Sequence, residues 1–218
     1  MVSLSKVVSR DEWLVARREF LQQEKEFTRA RDALNAKRRE LPRVLLDKDY
    51  VFDTPDGKAS LLDLFDGRRQ LIVYHFMVPP ETGTFCVSCS FWIDNVGHLA
   101  HLHARDTSLV VDCPVPLPRI QEFKERMGWT VPWVSSYGSD FYPDLHFKID
   151  ERDPQPPGIS AFVREGDSVF HTYSTHDRGS DLLNGTYNYL DLTPLGRQEE
   201  GLGFPQAWVR YHDEYETS

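Results

Sequence analysis

Cysteine is scarce in this chain: there are three among 218 residues. An odd, low count does not suit a secreted fold held together by disulfides. Long apolar runs are missing as well, and none approaches the roughly 18 residues that a membrane helix needs. Met1 to Asp11 is polar and has no apolar stretch of the kind a signal peptide carries. Positive charge is in deficit, with 25 Lys and Arg against 34 Asp and Glu and a net charge of −9. That balance argues against non-specific binding to nucleic acid or to an anionic membrane, because both want a basic surface. A basic cluster near the N-terminus (Arg17, Arg18, Lys37, Arg38, Arg39) is interleaved with Glu19, Glu24, Glu26 and Asp32 and reads as a solvated helix face. No internal repeat or low-complexity stretch is present. The expected setting is cytoplasmic and reducing.

What is there is an ordinary globular composition, 40% hydrophobic and 27% charged, enough to bury a full core. Residues 1–42 read as an N-terminal amphipathic arm and residues 43–218 as one domain with an aromatic-rich C-terminal extension. Trp13, Phe20, Phe27, Leu34 and Leu41 recur every seven residues, with Leu14 and Leu21 widening the stripe, and predict one helix from about Arg10 to Leu41. Ser9 and Glu12 form a capping-box pattern and Pro42 ends the run. The stripe could dock on the same chain or on a second copy, giving a homodimer through the N-terminal helix. Tyr50–Lys58 predicts a small hairpin around Thr54-Pro55-Asp56-Gly57. The runs Leu71–Met77 and Ser108–Asp112 predict buried parallel strands, and Trp133–Ser136 a short one. Helices are expected over about Ser90–His103 and over Pro118–Met127, the latter stopped at Gly128. Ile159–Val163 and Ser168–Thr172 flank a turn at Arg164–Asp167, a clear hairpin. Right-handed crossovers then put helices on both faces of a mixed α/β sheet. The expected fold is thioredoxin-like, with an extra N-terminal strand and the long helix, as in the peroxiredoxin and thiol-reductase branch.

The most informative motif is Cys86-Val87-Ser88-Cys89, two cysteines at Cys-x-x-Cys spacing just after a predicted strand and at the opening of a predicted helix. The reacting species in thiol chemistry is the thiolate, and a free cysteine near ~8.5 is mostly protonated at neutral pH. A helix N-terminus turns unpaired N–H groups toward the sulfur and favours the anion. Cys86 is therefore the candidate attacking thiol. Cys89, one turn further in, is the candidate resolving thiol. The alternative is that both are small buried hydrophobes, but the strand–loop–helix context is what the redox reading requires.

Cys113 follows the second parallel strand, on the edge where open α/β sheets collect their sites. It is a candidate third thiol, a third metal ligand or a lone core cysteine. A metal site would need Cys86, Cys89, Cys113 and a histidine drawn from His75, His98, His101 or His103, and no second Cys-x-x-Cys supports one. No motif assigns a resident cofactor. Pro157, with Pro156 second, is the candidate cis-proline opposite the dithiol. Aromatic residues (Phe91, Trp92, Trp133, Tyr137, Phe141, Tyr142) suggest an apolar pocket, with Trp92 and Pro157 as substrate-binding candidates. Arg178 is a candidate anion-binding group or a surface ion pair.

Long stretches of the chain resemble one family. They include Lys48-Asp49-Tyr50-Val51-Phe52-Asp53-Thr54-Pro55-Asp56-Gly57, Leu71-Ile72-Val73-Tyr74-His75-Phe76-Met77, and Cys89-Ser90-Phe91-Trp92 followed by Ile93-Asp94-Asn95. They continue through Pro132-Trp133-Val134-Ser135-Ser136-Tyr137-Gly138-Ser139-Asp140-Phe141 and Gly185-Thr186-Tyr187-Asn188-Tyr189-Leu190-Asp191. The resemblance is to the thioredoxin-like "domain of unknown function 899" family, sometimes labelled dithiol–disulfide oxidoreductase. It implies a thioredoxin-like fold with the active pair on Cys86 and Cys89. Val87-Ser88 stands where Pro-Gly or a similar spacer is usual, and Cys113-Pro114 where a serine-type residue is expected.

The leading expectation is a thiol–disulfide oxidoreductase acting on a small-molecule or protein disulfide. A peroxiredoxin-like peroxidase, a metal or cofactor carrier, and a dimeric interaction protein with a vestigial motif are the alternatives.

Overall fold

The apolar run after Gln70 forms β4 (Gln70–His75), the strand around which the rest is arranged. In this computed structural model, residues 5–79, 82–145 and 157–216 are described. The remaining strands are β1 (Val44–Leu46), β2 (Val51–Thr54), β3 (Gly57–Ser60), β5 (Thr107–Cys113), β6 (Trp133–Ser135), β7 (Gly158–Glu165) and β8 (Ser168–His176). They form one mixed sheet in the order β1-β8-β7-β4-β5-β6-β2-β3. β4, β5 and β6 run parallel, and β7, β8 and β1 run antiparallel beside them.

Four short or medium helices flank the sheet: α2 (Val87–Ile93), α3 (Ala100–His103), α4 (Leu117–Arg126) and α5 (Phe141–Leu145). A fifth, α6 (Gly185–Leu190), lies in the C-terminal part. Parallel strands joined through α2 and α4, followed by an antiparallel hairpin on the far side of β4, are the thioredoxin-like arrangement expected from the sequence.

Strand alternation divides the core in two. Tyr74, Phe76, Val111, Cys113 and Trp133 face α2 and α4. Leu71, Val73, Val110, Val134 and Phe162 face the other way, where Phe65, Phe52 and Phe141 cover them. Phe76 is wholly buried between Phe85, Phe123 and Trp133, with ring centroids 5.0–6.3 Å away. Burial of such a ring stabilises by about 1.5–3 kcal/mol.

α4 stops as predicted. Gly128 adopts φ +64°, its N–H reaches the Glu125 carbonyl, and Trp129 N–H reaches Lys124, a Schellman closure. Gly158 is required for space: a Cβ there would lie 2.7 Å from the Thr175 carbonyl oxygen.

Three expectations change. The helix predicted over Ser90–His103 is two pieces, because Asn95 turns its amide back onto the Phe91 carbonyl (2.7 Å) while its oxygen accepts from Thr186 N–H (2.7 Å). A side chain that takes the helix's last acceptor ends it. β1, which pairs with β8, was not expected. Finally, α1 (Arg10–Arg38) carries the predicted Ser9–Glu12 capping box but buries none of its residues. Trp13, Phe20, Phe27 and Leu34 are 45%, 54%, 63% and 54% exposed, so the stripe does not dock on its own domain.

Candidate active site

After His75 the chain leaves the sheet and returns at Cys86, whose N–H donates to the Met77 carbonyl at 3.2 Å. Cys86 is the N-cap of α2, with an extended backbone (φ −67°, ψ 122°), and its sulfur accepts the Cys89 N–H at 3.4 Å. An N-cap position normally takes an oxygen acceptor for one of the helix's unpaired N–H groups. Here a sulfur fills it, and the anion does so better than the thiol.

The Cys86 thiol is accordingly brought down to about 7. The largest cause is the Cys89 thiol donating to its sulfur, helped by the N–H groups of Cys89 and Ser88 and by the Ser88 side chain, against the opposing effect of burial. Helix α2 has seven residues, so these local bonds, more than a long helix dipole, carry the effect.

Cys86 is half-buried, whereas Cys89 is 1% exposed. Burial pushes the Cys89 thiol well up, its hydrogen bond to Cys86 and the Cys86 charge add to that, and Met77 N–H and the Tyr74 hydroxyl oppose it. The pair is thus split into a half-buried thiol that ionises near neutrality and an inner one that holds its proton. All three cysteines are free thiols.

Cys113 is wholly buried at the carboxyl end of β5 and belongs to the same apolar cluster as Cys89. Burial first, then the neighbouring Asp112 charge, pushes its thiol well up. Pro157 directly precedes Gly158, which pairs with His75, so Pro157 stands at the sheet edge that carries Cys86. The peptide bond before it begins at Pro156, outside the described residues. Trp92 is buried in T-shaped contact with Phe91 and Tyr187, and its indole N–H donates to the Ser180 carbonyl at 3.2 Å.

Other residues singled out in the sequence lie elsewhere. Phe141 is on the opposite face of the sheet, Tyr137 is 62% exposed, and the Tyr142 side chain is outside the described residues. Residue alternation sends His75 to that opposite face too, where its Nε2 bonds Ser160 Oγ at 2.8 Å. His98, His101 and His103 are exposed. Among the described residues no group of three or more His, Cys, Asp or Glu is gathered closely enough to hold a metal ion. Arg178 is in an ion pair with Asp181 at 3.2 Å.

Two features went unread in the sequence. Tyr74 is one, and strand alternation with Phe76 would have placed it on the dithiol face. The other is the tail. Tyr211 donates its hydroxyl to the carbonyl of Phe85, the residue before Cys86, and its ring lies on Phe123 and under Arg126. Arg126 in turn grips Asp213 (2.8 Å) and Glu214 (3.0 Å). The end of the chain is thereby folded against the site.

Residues 2–215 match the family described as "Bacterial protein of unknown function (DUF899)". The chain belongs to this family. No curated protein matches this DUF899 chain in sequence.

Among solved structures it is similar to a candidate protein disulfide isomerase from Bacteroides thetaiotaomicron, with 19% identity, 68% of this chain and 91% of that one covered, and a TM-score of 0.44. It is also similar to the mitochondrial 2-Cys peroxiredoxin from Plasmodium falciparum (10% identity, 68% and 92% covered, TM-score 0.43). A third similarity is to peroxidoxin BcpB from Mycobacterium tuberculosis (16% identity, 66% and 94% covered, TM-score 0.37). No helix among the described residues of the DUF899 chain is long and apolar enough to cross a membrane.

Proposed function

We propose that this DUF899 chain is a thiol–disulfide oxidoreductase working in a reducing compartment, with Cys86 attacking and Cys89 resolving. The observation that carries the reading is the division of the pair: a half-buried N-cap sulfur that accepts the Cys89 N–H at 3.4 Å and is brought down to about 7, beside a wholly buried thiol held above its ordinary range. Cys86 is then the sulfur that ionises near neutral pH, while Cys89 keeps its proton.

Attack of the Cys86 thiolate on a disulfide RS–SR′ gives a mixed disulfide and releases one thiolate. Cys89 then displaces the second, leaving a Cys86–Cys89 disulfide. Pro157, next to Gly158 at this sheet edge, is the substrate-binding residue of this reading, and Ile159 and Tyr211 pack against the cluster that holds the pair. Trp92 fixes α2 from behind. The substrate is a small-molecule or protein disulfide, and Cys113 is a reserve thiol too buried to join the first exchange.

The test is reduction of a small disulfide monitored by thiol release, with intact and peptide mass spectrometry. The wild type should release two equivalents and acquire a Cys86–Cys89 bridge. Cys86→Ser should show neither. A Cys86→Ser chain with full activity ends the proposal.

The exposed stripe of α1 supports a second element of the reading, pairing with another copy of the chain. The first half of α1 is balanced in charge and the second carries more base than acid, so the pairing rests on the apolar stripe. Light scattering should give a dimer that Phe20→Lys with Phe27→Lys converts to a monomer; a wild-type monomer refutes the pairing.

A further inference from the structure

Helix α2, which carries the dithiol, has seven residues and is about 10 Å long. A helix so short does not hold its own geometry in water, so its place is set by what grips it. Two consecutive residues of the tail grip its two ends. Just before the N-cap, the Phe85 carbonyl accepts the Tyr211 hydroxyl. At the other end Asp94 is the C-cap, and its Oδ1 accepts the Trp129 indole N–H at 2.7 Å and lies 2.7 Å from His212 Nδ1.

One face of α4 is the platform for this grip. Arg119, Phe123 and Arg126 stand at positions i, i+4 and i+7. Arg119 donates to the Gly83 carbonyl at 2.6 Å, in the segment that returns to Cys86. Phe123 stacks on Phe85, with ring centroids 4.1 Å apart and planes 6° from parallel, and meets the Tyr211 ring edge-on at 5.4 Å. Arg126 fastens Asp213 and Glu214, the two residues that follow the grip.

The Tyr211 ring is already seated on Phe123, so its hydroxyl adds direction more than packing. The Phe85 carbonyl and the Cys86 N–H belong to one planar peptide group. Tyr211 holds the oxygen of that group and the Met77 carbonyl holds its N–H, at 3.2 Å. The next atoms along the chain are those of Cys86, whose sulfur accepts the Cys89 N–H.

We propose that the tail is a clasp on the dithiol helix and that Tyr211 is a positioning residue: by pinning the Phe85–Cys86 peptide, it keeps the Cys86 sulfur in the N-cap geometry that favours its anion. The clasp rests on the oxidoreductase reading. Tyr211 exchanges no proton or electron in the reaction.

The experiment follows alkylation of Cys86 by iodoacetamide against pH. Y211F keeps the ring and removes the hydroxyl, and near-ultraviolet circular dichroism checks that the packing survives. Expected is a midpoint raised by about 0.5 to 1 unit over wild type, the worth of one hydrogen bond. A purely structural role would lower the urea midpoint of unfolding and leave that of the thiol where it was. A second variant, D213N with E214Q, unfastens the tail from its exposed side and decides the matter if Y211F does not fold. Removal of two negative charges by itself lowers a nearby thiol, so a rise in this variant reports the clasp. An unchanged or lowered midpoint in folded Y211F, or in the second variant where Y211F does not fold, overturns the clasp and leaves the dithiol chemistry standing. A wild type whose midpoint lies near the ~8.5 of a free thiol, and which releases no thiol from a small disulfide, overturns the oxidoreductase reading and the clasp with it.

Discussion

The two faces of the sheet carry buried polar chemistry at the same edge, and they use it differently. On one face Cys86 and Cys89 lie under α2, and Cys86 is within reach of solvent. On the other, a chain of short bonds runs across three strands: His75 Nε2 to Ser160 Oγ (2.8 Å), Ser160 to Ser174 (2.7 Å), and Ser174 to His171 Nε2 (2.8 Å). Asp112, wholly buried, stands 3.8 Å from His75 Nδ1. An Asp–His–Ser series invites comparison with a nucleophilic triad. Ser160, however, is 1% exposed and shares its hydroxyl with both His75 and Ser174. Its neighbours absorb its reactivity. The dithiol face leaves one sulfur open and poised to ionise. Residue type does not separate a structural network from a candidate active site; accessibility and the partners of the last atom do.

The largest expected effect breaks the comparison on the dithiol face. Cys89→Ser should stop turnover at the mixed disulfide, so that mass spectrometry finds the substrate's thiol half attached to Cys86 and only one equivalent is released.

On the opposite face Ser160→Ala should leave Cys86 reactivity unchanged but destabilise the fold by about 1–3 kcal/mol, because it strands buried partners of the hydroxyl. Urea unfolding checks the loss and alkylation kinetics the unchanged reactivity. A matching fall in reactivity would mean that the faces are coupled.

The pH dependence sharpens the contrast further. A lowered thiol is more reactive at neutral pH, so the rate of Cys86 alkylation should rise with pH, pass its midpoint near about 7 and level off above it. A midpoint near the ~8.5 of a free thiol removes the distinction between the two sulfurs.

The smallest effect is at the end of α4. Gly128→Ala places a side chain at φ +64° and should cost about 1 kcal/mol, seen as a small drop in unfolding midpoint with both faces otherwise intact.

Much of this was legible from pattern. The uninterrupted apolar run after Gln70, the turn residues at Thr54–Gly57 and at Arg164–Asp167, and Gly128 behind α4 each carry a local reason for the element they form. The cysteine spacing did the same for the site. What stayed hidden depended on distant partners. Asn95 ends α2 because Thr186, far along the chain, holds its oxygen. β1 is three residues long, largely exposed and exists through β8. Tyr211 reaches the site only because Arg126 holds the tail. His75 was readable as a ligand candidate until its strand register turned it away from the sulfurs.

The spacer Val87-Ser88 has one more consequence. The N–H and hydroxyl of Ser88 hold the Cys86 anion, and they lose that acceptor charge once the sulfur is tied up in a bridge. Such donors favour the dithiol over the disulfide and so raise the couple's potential, by about 30 mV for each 1.4 kcal/mol. The proposed reaction passes electrons from the dithiol to the substrate, so this tetrapeptide makes the protein a milder reductant.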